Sequence, residues 1–238
     1  MPEITLLVST GGPLTKRIAL NAAGEAVSSS DRCCLSSGYA YRVSVADADA
    51  LARVFAGMTS EEALAMGELR DGLPDAVYVT TKSRLMNGTA ATNIIARTAT
   101  DIIYRNAPGF SFIDFDSKGM PGEVRNRLDQ IGGVEAALYS ILPELATTAQ
   151  LKRASTSAGL YRTDTGQQFP GSGGIHLYLA VTNPLTIRAS CERCTSAAGS
   201  QGMAGTCLAR RGHSWSARSS TGSSAAPSTY VLKGRQRQ

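Results

Sequence analysis

The chain has 238 residues, 42% of them apolar, with a formal net charge of +5 and a pI near 9.1, enough for one domain or one domain plus an appendage around a sizeable core. It holds no uninterrupted apolar run long enough to span a membrane. Its start, Met1-Pro2-Glu3-Ile4-Thr5-Leu6-Leu7-Val8, has neither the basic nor the long apolar region of a secretory signal, and its five cysteines point to a reducing, cytoplasmic setting rather than a disulfide framework.

In chain order, Ile4–Ser9 and Lys16–Leu20 read as strands joined by the Gly11-Gly12-Pro13 turn. Tyr39–Val45 alternates as a third strand, and Asp47–Phe55 reads as a helix. Thr59-Ser60-Glu61-Glu62 has the form of a capping box and predicts a short helix ending near Gly67. Ala76–Thr81 is a strand, Asn87-Gly88 a turn, and Asp101–Arg105 another strand. Phe110–Phe115 is a buried-looking strand that ends on acids. Pro121 suits the first turn of a helix over Gly122–Ile131, and a second helix over Val134–Leu142 is closed by Pro143. Leu151–Ser155 and Ile175–Val181 are further strands. Strands and helices mix without a βαβ rhythm, so the fold class is α+β, a mixed or antiparallel sheet with helices.

Composition divides the chain. Residues 185–238 carry eight basic groups and one acidic, whereas the rest carries sixteen basic and eighteen acidic. The high pI therefore belongs to the C-terminal segment and gives little reason to expect nucleic acid on the body. From Thr186 onward the only Ile, Leu or Val residues are Ile187, Leu208, Val231 and Leu232. This irregular stretch reads either as a disordered basic tail or as a frameshift product. Codons permitted for Arg188 to Cys194, read two bases along, can spell Arg-Phe-Leu-Arg-Ala-Leu-His; the same offset over His213 to Thr221 can spell Leu-Leu-Glu-Arg-Ser-Ile-Val-Asp. Cys191 and Cys194, with Cys207 and His213 beyond, are too irregularly spaced for a zinc site. The expected divisions are 1–88, an α+β region without an assigned role; 89–184, the core that carries the chemistry; and 185–238, the tail.

Two elements carry candidate chemistry. In Phe110-Ser111-Phe112-Ile113-Asp114-Phe115-Asp116 an apolar strand runs into two carboxylates that period-2 alternation puts on one face. Like charges held together favour a cation, and Mg²⁺ or Mn²⁺ shared with substrate phosphates is the usual solution. Capping of the next turn is the plainer alternative. In Gly171-Ser172-Gly173-Gly174-Ile175-His176 a glycine-rich approach, suited to phosphate, leads into a strand with one histidine. Between the two, Lys152-Arg153 and Arg162 flank a run of hydroxyls that suits phosphate contact, or simply a solvated loop. If the two strands form one site, Asp114, Asp116 and His176 should share a face of neighbouring strands.

An apolar strand ending Asp114-x-Asp116, followed by Ser172-Gly173-Gly174-x-His176-Leu177-Tyr178, resembles motifs I and II of the archaeo-eukaryotic primase superfamily, in the primase-polymerase branch of phages and plasmids. The resemblance runs from Phe110 to Val181. It implies an RRM-like palm, with Asp114 and Asp116 holding Mg²⁺ or Mn²⁺ and His176 contacting the phosphates of a nucleoside triphosphate. Ser172, Gly173, Gly174, Arg153 and Arg162 would be nucleotide-binding, and nucleic acid would be the template. The family also needs a third acid on a later strand, and beyond His176 the only Asp or Glu is Glu192. An incomplete nucleotidyltransferase site is therefore expected. Two alternatives stand beside it: a HAD-like phosphotransferase using the Asp-x-Asp strand, and a non-catalytic nucleic-acid-binding replication accessory.

Overall fold

The computed structural model describes residues 1–15, 17–29, 34–86, 93–115, 120–155, 158–162, 164–169 and 174–185. The expected turn at Asn87-Gly88 and the whole stretch 186–238 lie outside them. The chain divides into two compact units, one running from Met1 to Arg105 and the other beginning at Asn106.

In the first unit, β1 (Glu3–Ser9), β4 (Ser37–Ser44), β5 (Glu62–Ala65), β7 (Ala76–Thr80) and β8 (Ile94–Ala96) form a mixed five-stranded sheet in the order β5-β1-β4-β7-β8. Only the β7–β8 pair is parallel. Alternation sends Leu7, Ala40, Ala63, Val77, Val79 and Ile95 into one core with Leu14, Leu35, Leu69 and Leu73. Helix α1 (Ala48–Gly57) starts where the sequence places it, with the Asp47 carboxylate accepting from the Ala50 amide, and it buries Leu51 and Phe55. A two-stranded ribbon pairs β6 (Glu68–Leu69) with β9 (Ile102–Ile103). Because β8 and β9 pair within this unit, the boundary expected at residue 88 falls inside it rather than at its end.

Two local expectations are corrected. The strand β2 (Arg17–Leu20) does not return onto β1; it pairs with β3 (Ala26–Ser29) around a turn in which Asn21 Oδ1 accepts from the amides of Ala23 and Glu25. The capping-box motif forms half its bonding, since the Glu62 carboxylate accepts from the Thr59 amide at 2.7 Å. It leads into the strand β5 instead of a helix, because Ala63 and Leu64 are taken into the sheet beside β1.

The second unit follows the expected elements closely: β10 (Gly109–Phe115), α3 (Gly122–Gln130), α4 (Gly133–Ile141), a 3₁₀ turn over Pro143–Thr147, β11 (Gln150–Ala154) and β12 (Ile175–Val181). Its sheet is antiparallel in the order β10-β12-β11. Thus β10 and β11 run parallel to each other with β12 between them, a split β-α-β arrangement. Ile113, Leu177 and Leu179 on one face of the sheet pack with Leu145 and with Leu138, Tyr139 and Leu142. The α+β class with a mixed sheet and a few helices is therefore what the chain adopts. Among the described residues, no helix is long and apolar enough to cross a membrane.

Candidate functional site

The site grows from strand register. In β10 and β12 Asp114 stands directly opposite His176, and in β11 and β12 Arg153 stands directly opposite the same histidine. Residues directly opposite one another share a face of the sheet. The order β10-β12-β11 therefore lays a carboxylate, an imidazole and a guanidinium side by side across three strands, on the face away from Ile113, Leu177 and Leu179. The expected neighbourhood of the two motif strands is met. His176 Nε2 lies 3.3 Å from Asp114 Oδ1.

Burial differs along the row. His176 is 3% exposed, whereas the side chain of Asp114 keeps 23% of its surface in water. The Phe112 ring meets the imidazole edge-on with centroids 5.4 Å apart, and it stacks on Tyr178 at 4.9 Å. Phe112 and Tyr178 stand opposite each other one step along the strands, so an aromatic pair fixes the imidazole from the side. Arg153 is half-buried, and burial pushes its guanidinium pKa below the ordinary value, with the nearby Tyr178 phenol acting in the other direction. A cation held out of water gains most from an anionic partner.

The remaining expected residues fall in different places. Asp116, Ser172 and Gly173 lie outside the described residues, and Gly174 is the described end of the glycine run. A Cβ on Gly174 would stand 2.8 Å from Ser155 Oγ and 3.1 Å from the Phe115 carbonyl oxygen, so the glycine permits a close approach of three strands. Its carbonyl accepts from the Ser155 amide at 2.9 Å. Ser155 is buried and lies two residues beyond Arg153, on the side of the sheet that carries the row. The sequence reading included it only in a general run of hydroxyls, although the spacing Arg153-x-Ser155 after an alternating strand carries the signal.

The three cations expected to act together are separated. Lys152 projects to the opposite face and pairs with Glu135 of α4. Arg162 is engaged by Asp164 two residues on, with Nε donating to Oδ1 at 3.0 Å and Nη2 to Oδ2 at 2.6 Å. The guanidinium lowers the Asp164 carboxyl pKa to about 2. Only Arg153 joins the row.

Whether the row fits a divalent cation turns on its donors. Mg²⁺ is commonly held by one or two carboxylates with substrate phosphates and water completing the shell. Asp114, an oxygen donor with part of its surface in water, fits that pattern. Among the described residues no group of three or more His, Cys, Asp or Glu side chains gathers as a closed metal cage.

No protein family, characterised protein or solved structure matches this chain.

Proposed function

We propose that the second unit is the nucleotide-handling core of a primase-polymerase-like nucleotidyltransferase from a phage- or plasmid-type replication system, incomplete in this chain. The observation that carries this reading is the cross-strand row Asp114–His176–Arg153. Such a row supports the reading because a carboxylate of this kind can bind a divalent cation, and the imidazole and guanidinium beside it can donate to phosphate oxygens. The β-α-α-β-β order and the split arrangement of β10, β12 and β11 fit the first part of a β-α-β-β-α-β palm, the RRM-like architecture that the motifs imply.

In this reading Asp114 and Asp116 hold Mg²⁺ or Mn²⁺, which supplies charge stabilisation at the phosphoryl oxygens when bound. Arg153 pairs with a non-bridging phosphate oxygen, a charge-assisted contact that partial burial strengthens. His176, steadied by Phe112 and facing Asp114, donates to the same phosphate chain. Ser155 and the unsubstituted Gly174 offer a hydroxyl and close backbone approach at the next step along the sheet. The position of His176 directly against Asp114 favours this reading over the HAD-like phosphotransferase.

A non-catalytic accessory role has one observation in its favour. A histidine 3% exposed with a carboxylate at 3.3 Å is also what a satisfied core histidine looks like. Paramagnetic Mn²⁺ titration with and without a deoxynucleoside triphosphate separates the two. The wild type should bind Mn²⁺, and the nucleotide should tighten that binding. The pair Asp114→Asn and Asp116→Asn should abolish it, and Arg153→Gln should remove the tightening alone. Equal Mn²⁺ binding by wild type and the double variant would return the aspartates to a capping role.

A further inference from the structure

The ribbon of β2 and β3 is a two-stranded sheet separate from the five-stranded one, and every residue from Ala19 to Val27 is exposed. Leu20 keeps 43% and Val27 51% of its surface in water. A hairpin of this size standing alone is marginally stable at best; three or more strands are usually needed. The ribbon also lacks what normally guards a lone edge, since between Arg17 and Asp31 the only charged residue is Glu25 and there is no proline. Which backbone groups point outward follows from the ladder. The Asn21 amide donates to the Glu25 carbonyl at 2.9 Å, which makes those two a hydrogen-bonded pair. By alternation Ala19–Val27 and Arg17–Ser29 are hydrogen-bonded pairs as well. The N–H and C=O groups of Ala26 and Ser28 therefore point away from β2, along the outer edge of β3. Those of Ile18 and Leu20 point out along β2, but that strand opens on Lys16-Arg17, cations of the kind that keep an edge from pairing, and Ile18 is half-buried. The open side of the ribbon is β3.

We propose that β3 pairs edge to edge with β3 of a second copy of this chain, antiparallel about a two-fold axis at Val27, to give a four-stranded sheet in the order β2-β3-β3-β2. The edge is its own complement. With the axis at Val27, Ala26 stands opposite the partner's Ser28 in a hydrogen-bonded pair, and the same holds with the copies exchanged, so every outward group of these residues is satisfied. Val27 meets the partner's Val27 in the non-hydrogen-bonded position between them, where side chains come closest and a β-branched pair is favourable. Glu25 faces the partner's Ser29, so no like charges oppose one another. The exposed valines thereby lose water, and the lone hairpin becomes part of a sheet of the size that is stable. Both outer edges of the new sheet are then β2, with its leading cations, so pairing closes at two copies. A four-residue edge is small beside the roughly 1,200–2,000 Å² of a stable interface, so association should be weak and should depend on concentration by mass action.

Sedimentation velocity of the full chain over a rising concentration series tests this. The wild type should pass from monomer to dimer as concentration increases. Val27→Lys sets two like charges against each other on the axis and should raise the dimer dissociation constant roughly tenfold or more. Ser28→Pro removes an N–H that the β2–β3 ladder does not use, at the kind of outward position where an edge strand tolerates proline, and should raise it as far. Val27→Thr keeps a β-branched residue at the axis and should dimerise nearly as the wild type does. A chain that stays monomeric throughout the series overturns the proposal. So does a dimer that either the lysine or the proline variant leaves intact, because side chain and backbone must both be engaged at a paired edge. Growth past the dimer into larger assemblies overturns it too, since a two-fold pair uses up the edge that makes it.

Discussion

Arg153 is the residue in which stability and recognition pull apart. Its guanidinium is half-buried on β11 beside His176, and burial lowers its pKa, so the charge is held against its own solvation. Desolvation outweighs the attraction from Tyr178, so the guanidinium's surroundings disfavour its charged form, and an unbranched apolar side chain of similar length carries no such cost. Arg153→Met should accordingly cost less than the roughly 3–5 kcal/mol of breaking a buried ion pair. The same substitution should remove the gain in Mn²⁺ affinity that a nucleotide brings. Urea unfolding and the Mn²⁺ titration, run on one preparation, check both halves. A clear loss of stability with nucleotide binding intact would make Arg153 a structural strut. Lys152 shows the contrast next door: its charge pairs with Glu135 across the other face, so it should matter to that sheet–helix contact and not to phosphate.

Strands and helices with strong periodicity were legible in the sequence. β1, β4, β7, β10 and β12 are alternating or apolar runs rich in β-branched and aromatic residues, and α1 announces its start through Asp47. Pairing was less legible, because it joins residues far apart in the chain. Nothing local tells β2 to fold onto the weakly apolar Ala26–Ser29 rather than β1, or turns the Glu62 back-bond toward a strand. The candidate site divides the same way. Asp114 and His176 stood out as polar residues within apolar strands, but the convergence of Arg153 and Ser155 needed the register of β11. That register leaves its mark on two glycines. A Cβ on Gly38 in β4 would lie 2.0 Å from the Val8 carbonyl oxygen, a backbone atom locked in the β1–β4 ladder. On Gly174 the closest atoms belong to the Ser155 side chain, at 2.8 and 2.9 Å. Overpacking typically costs 1–3 kcal/mol and occasionally more. Gly38→Ala should therefore cost about 3 kcal/mol or more and Gly174→Ala about 1–2 kcal/mol by denaturant unfolding. Gly11→Ala, whose Cβ would meet only Ser9 Oγ at 3.8 Å, should behave as the wild type. A mild effect at Gly38 would contradict the β1–β4 register.

Before residue 185 the chain carries slightly more acidic than basic groups, so the net charge of that part does not draw an anionic substrate to the candidate site. Recognition must come from cations placed locally, and placement depends on the packing behind each sheet. Each unit has its own core: Leu69 is fully buried in the first and Leu179 in the second, and the two clusters share no residue. Leu179 lies on β12, three residues from His176 and on the opposite face, so a cavity there loosens the strand that holds the row. Leucine-to-alanine cavities cost about 2–5 kcal/mol. Leu69→Ala and Leu179→Ala should each destabilise by that amount, and independent sites should add to within about 0.5 kcal/mol in the double variant. The two differ in what they do to the row. Leu179→Ala should shift the His176 imidazole resonances and weaken nucleotide-dependent Mn²⁺ binding, whereas Leu69→Ala should change neither at temperatures where the chain is folded. NMR of the imidazole with the Mn²⁺ titration reads this directly. A His176 shift in Leu69→Ala, or a double variant far from additive, would mean that the two cores respond as one and that the row is held by the whole chain.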